Sequence, residues 1–178
     1  MKTRFLIIGC LLLAPAVGRA DSLGERIVAF CRDNKDKAVG DGDCYDLAKF
    51  ALHAAGAKPQ FKNPDFPNKG DYVWGELVVL IEGSDTGSKV TGKLKDIRPG
   101  DVIQFRDTKW SGPKATGKGT YSLTFKHHTA IVAAVENDGK LIKIYHQNYQ
   151  SKKYVMEGSL KPDDLKSGWA RIYRPLPK

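Results

Sequence analysis

Apolar residues fall at helical spacing in two segments of the first third of the chain. Ile27, Val28, Phe30 and Cys31 form the first, and Ile27 and Cys31, four apart, share a face, so Cys31 reads as a small core hydrophobe. Ser22-Leu23-Gly24-Glu25 ahead of them is a capping box, which predicts a helix from there to about Arg32. Leu47, Ala48, Ala51, Leu52 and Ala55 form the apolar face of a second helix. Asp43 is its N-cap, Cys44 its first residue, Asp46 its third, and Gly56 its left-handed stop.

Beyond residue 71 the pattern turns towards β structure. "YVWGELVVLIEG" (72–83) is strongly apolar, and helix and strand both remain open for it. "IRPGDVIQF" (97–105) is a proline-glycine turn feeding a strand, and 107–122 reads as a Gly/Lys/Ser/Thr loop. "HHTAIVAAVENDGKLIKIYHQNY" (127–149) predicts a hairpin about Asn137-Asp138-Gly139, and "GWARIYRPL" (168–176) a last strand. Helices first and antiparallel strands afterwards predict an α+β fold, with no repeat and no linker to divide it.

Residues 1–20 read as a cleaved signal peptide, with Lys2 and Arg4 before an apolar run and small residues before Asp21. The expectation is a secreted or periplasmic domain over 21–178. The full chain carries 29 basic and 20 acidic residues; losing Lys2, Arg4 and Arg19 lowers the net charge from +9 to +6. The basic residues are interleaved with acids, which argues against nucleic acid as a partner and fits attraction to an anionic wall. No second stretch is apolar enough to span a membrane, so a monomer without stable membrane association is expected. Cys31 and Cys44 remain after cleavage, and one disulfide between them is the default in an oxidising compartment.

Against that default stands the position of Cys44. Unpaired amides and partial positive charge at a helix start favour a thiolate, while Asp43 and Asp46 oppose it. A nucleophile also needs a base and something to orient the base. If Asn137-Asp138-Gly139 is a three-residue loop, Glu136 faces Lys140 and His128 faces Asn148. His128, His146 and Asn148 then share one face of the sheet, with either Asn148 or His146 able to hold the His128 ring. His127 points to the opposite face and reads as a neighbour, and His53 as an ordinary helix residue. The close-set ligand pairs of a zinc site are absent, and no metal or cofactor is expected.

The segments "GDGDCYDLAKFAL", "RPGDVIQF", "HHTAIVAAV" and "IYHQNY" together resemble the CHAP family of cysteine, histidine-dependent amidohydrolases and peptidases, within the NlpC-type papain-like fold. On that resemblance Cys44 takes the nucleophile position, Pro99-Gly100-Asp101 the turn and His128 the base. His146 stands where the family carries an acidic residue, and Asn148 at its asparagine. The resemblance implies N-terminal helices packed on a short antiparallel sheet, and hydrolysis of amide or peptide bonds, often in bacterial peptidoglycan. Attack by the Cys44 thiolate would be assisted by His128, with the Cys44 amide binding the oxyanion. The alternative is a non-catalytic exported binding or structural domain of the same fold with a Cys31–Cys44 disulfide.

Overall fold

The computed structural model describes residues 22–63, 65–66, 70–114 and 118–178. Residues 1–20, read from the sequence as a signal peptide, lie outside them. Two helices lead the described chain. Helix α1 (Leu23–Asp33) opens with the reciprocal capping box: Ser22 Oγ accepts from the Glu25 amide, and the Glu25 carboxylate accepts from the Ser22 amide. Helix α2 (Cys44–Ala55) stops at Gly56, whose φ of 77° is the left-handed conformation a glycine adopts without a side-chain clash.

Among the described residues nine strands follow: β1 (Phe61–Lys62), β2 (Tyr72–Val73), β3 (Glu76–Ser84), β4 (Gly87–Gly92), β5 (Val102–Pro113), β6 (Thr120–Glu136), β7 (Leu141–His146), β8 (Met156–Leu160) and β9 (Leu165–Arg174). Strands β1 and β2 pair with each other, and the other seven form one antiparallel sheet in the order β4-β3-β9-β5-β6-β7-β8. The apolar run at 72–83 is therefore strand, broken at Trp74-Gly75. The sheet is larger than the short one expected. Its extra area comes partly from the stretch read as a loop at 107–122, where β5 and β6 extend as a ladder to Pro113↔Thr120.

Strand alternation sorts the buried side chains into two cores. Val102, Ile131, Tyr145 and Tyr173 face the helices and pack with Ile27, Cys31, Leu47, Ala51 and Leu52. Ile103, Phe105, Ala130, Val132, Ile144 and Ile172 fill the other face. The Pro99-Gly100-Asp101 turn holds the sheet together rather than forming part of the site. Buried Asp101 accepts from the Arg98 amide and from the Arg174 guanidinium, so the start of β5 is tied to the end of β9.

The β6–β7 hairpin departs from the predicted register twice. Its connection takes four residues, so Glu136 faces Leu141 instead of Lys140, and Ala133 is an unpaired bulge in β6. The two one-residue offsets cancel. Below the bulge Ile131 faces Tyr145, the alignment that the three-residue loop would have given.

Candidate functional site

Cys44 occupies the first position of α2, where the loop 36–43 delivers it to the sheet. Gln147, fully buried, locks that loop in place: its Oε1 accepts from the Val39 amide, and its Nε2 donates to the carbonyls of Val39 and Asp43. Strand β7 ends at His146, so the β6 residues before Ile131 have no partner in β7. The backbone amides of Thr129, Tyr45 and Cys44 itself lie near the Cys44 sulfur with their positive ends towards it. These three donors lower the thiol pKa, but burial acts more strongly and the net displacement is upward. The neutral thiol is the favoured form.

His128 and His146 come together as the cross-strand reasoning required. Their rings meet edge to face, with His128 Nε2 3.0 Å from His146 Nδ1. His128 is 3% exposed and stacks flat on Phe125 at 4.7 Å, with Phe105 also nearby. Its carbonyl accepts from Gln104 Nε2, and Gln104 Oε1 accepts from the Trp74 indole. Burial, reinforced by His146 and His127, holds the His128 imidazole down at about 3. Burial alone puts His146 at about 4. Both rings are neutral at pH 7.

The other candidates are placed elsewhere. Asn148 adopts φ 62°, and its side chain donates to Asp43 Oδ1 at 3.1 Å instead of to His128. Of the two residues proposed to orient His128, His146 makes the contact. His127 lies on the opposite face, as expected; it bonds the Gly70 carbonyl and lies near Asp71, which pairs with Arg106. Cys31 and Cys44 are both free thiols, which corrects the disulfide of the alternative reading. The physical reason is direction. Cys31 points into the helix-side core and Cys44 towards Thr129. Gln147 and Thr129, which build the site, were missed because they act through polar contacts that periodicity does not register.

A cysteine at a helix start, held against the strand that carries a histidine paired with a second histidine, belongs to the cysteine proteinase fold. The family model described as the AIM3/BBC1 cysteine proteinase-fold domain matches residues 17–178, and the chain belongs to that family. It is 29% identical over 165 residues to "Altered inheritance of mitochondria protein 3" of Debaryomyces hansenii, covering 90% of this chain and 17% of that protein. It is 34% identical over 157 residues to "SH3 domain-containing protein C23A1.17" of Schizosaccharomyces pombe, covering 86% of this chain and 9% of that protein. The chain thus spans under a fifth of the length of these curated relatives. No solved structure matches it significantly.

These relatives correct the resemblance drawn from the motifs. The papain-like fold stands, but the family is a fungal one and not the bacterial CHAP or NlpC enzymes. Relatives of this kind also overturn the expectation of an exported amidase acting on bacterial cell-wall peptidoglycan, and with it the secreted or periplasmic location. The four motifs identify a fold shared by both groups, and nothing in their spacing separates one group from the other.

Proposed function

We propose that the domain is a non-catalytic binding module that keeps the cysteine proteinase fold, with its Cys44, His128 and His146 side chains serving as packing and hydrogen-bonding groups. The burial of His128 carries this reading. A general base must reach both the thiol proton and the leaving group of a substrate. At 3% exposure and stacked on Phe125, the imidazole offers little surface for that work. Each group's own burial keeps the Cys44 thiol protonated and the His128 ring neutral, which disfavours a thiolate–imidazolium pair. The small fraction of each relative that the chain covers supports its use as one module among others.

A second reading, thiol-dependent hydrolysis of an amide bond, is favoured by one observation. His146 occupies Nε2 of His128, Nδ1 has no hydrogen-bond partner among the described residues, and His128 directly precedes Thr129, whose backbone amide lies near the Cys44 sulfur. One experiment decides between the two. The protein and its Cys44→Ala variant are incubated with a library of fluorogenic peptide amides. No Cys44-dependent turnover is expected. Turnover that disappears in Cys44→Ala overturns the binding reading and establishes the hydrolase.

A further inference from the structure

The sheet face turned away from the helices carries a cavity of about 490 Å³ beside His146, to which neither reading above assigns a ligand. Leu123, Phe125, Ile144, Tyr149 and Met156 supply its apolar lining, and His146 also lines it. The His146 residue is only 5% exposed. Its Nδ1 is taken by His128, while its Nε2 has no partner among the described residues. A Cβ placed on Gly158, another lining residue, would stand 3.3 Å from that Nε2. A polar atom of an otherwise buried ring therefore opens onto the cavity with its hydrogen-bonding capacity unspent.

Its chemistry follows from the contact on the other side of the ring. Both imidazoles are neutral, so one proton lies between His128 Nε2 and His146 Nδ1. When His128 donates it, His146 must carry its own proton on Nε2 and present an N–H to the cavity. Lys114, Lys143 and Lys161 also line the space, and none is ion-paired among the described residues. The single lining carboxylate, Glu157, is bonded to Lys35. Apolar walls, the Nε2–H of the tautomer in which His128 donates, and a positive lining fit an anionic amphiphile.

We infer that this cavity binds an aliphatic carboxylate of intermediate length, its carboxylate accepting from His146 Nε2–H within the field of the lysines and its chain lying on the apolar wall. The volume falls within the roughly 300–1,000 Å³ of small-molecule sites. The inference extends the binding reading by naming a ligand class. Cys44 lies on the helix side of the sheet, so the two claims fail separately.

Decanoate is titrated into the full chain by calorimetry, with butyrate, decanol and decyl phosphate in parallel. Saturable decanoate binding is expected, with decanol weaker by about tenfold or more and affinity rising about fourfold per added methylene. Gly158→Leu, which sets a side chain over Nε2, lowers the affinity at least about tenfold. Lys161→Glu, outside the core, lowers it as well and serves if Gly158→Leu does not fold. Absence of saturable binding, or binding unchanged in the folded variants, overturns the inference. Preference for decyl phosphate over decanoate overturns the carboxylate class. The binding reading is judged independently, by Cys44-dependent turnover.

Discussion

The side-chain amide of Asn148 donates to the carboxylate of Asp43, and this bond joins the residue just beyond β7 to the cap position of α2. Asp43 makes no side-chain capping bond to its own helix, so its carboxylate is held by Asn148 instead. The pair is solvent-exposed. Asn148→Ala is expected to cost under about 1 kcal/mol. His146→Ala, which removes the partner of His128 Nε2 and leaves a hole between Phe125 and Tyr149, costs about 2–4 kcal/mol. Urea denaturation of both variants checks the order; equal losses contradict the assignment of His146 as the residue that orients His128.

Gln147 makes three hydrogen bonds from a fully buried position, all to the backbone before α2. Gln147→Ala leaves a buried amide and two carbonyls without that partner, at about 2–4 kcal/mol. The loop 36–43 also loses its anchor. Hydrogen exchange at Val39 is expected to accelerate well before global unfolding, and protection equal to wild type refutes the anchoring role.

The two buried histidines make stability depend on pH. Their folded values, about 3 and about 4, lie below the ordinary imidazole value near 6.5. Between those limits the unfolded chain binds more protons than the folded one, so acid favours unfolding. The contribution is fully present above about pH 6.5 and is lost as the pH falls towards 4. Thermal midpoints measured from pH 7.5 to 4.5 are expected to drop steeply below pH 6.5. The double variant His128→Phe/His146→Phe flattens that drop, and an unaltered profile refutes the attribution.

Cys31 and Cys44 differ in accessibility but share a raised thiol pKa. Burial takes Cys31 to about 12, and burial also raises Cys44 despite its three amide donors. Iodoacetamide at pH 7.5, followed by peptide mapping, is expected to label Cys44 more slowly than free cysteine. Cys31 is labelled only after denaturation. Labelling of Cys44 faster than free cysteine marks an activated thiolate and supports the hydrolase reading.

Local chemistry made much of this fold legible. The Ser22–Glu25 box, the Gly56 stop and the hydrophobic faces of both helices are short-range signals, and the structure has each of them. The Cys44 position and the His128–His146 meeting followed from capping and from strand periodicity. Three things were not legible, each for its own reason. The ladder of 108–113 with 120–125 is half exposed, so its alternation is carried by Tyr121, Leu123 and Phe125 amid polar residues that also suit loops. The left-handed turn at Asn148 redirects a side chain that strand alternation alone assigns to His128. The environment that keeps the site neutral depends on Phe105, which faces His128 across the β5–β6 ladder, and on Phe125, three residues back in the same strand, which strict alternation assigns to the opposite face.

The bulge at Ala133 has a consequence for how this domain can vary. It lies between the hairpin tip and the paired histidines, and it absorbs one residue of strand offset. Below it the alignment Ile131↔Tyr145 holds, while above it the ladder runs one step out of phase. The tip can therefore lengthen or shorten by a residue if the bulge is lost or doubled, without moving the imidazoles apart. The hairpin works as a vernier: coarse changes at its far end are taken up by one alanine, and the spacing of the two rings is insulated from them.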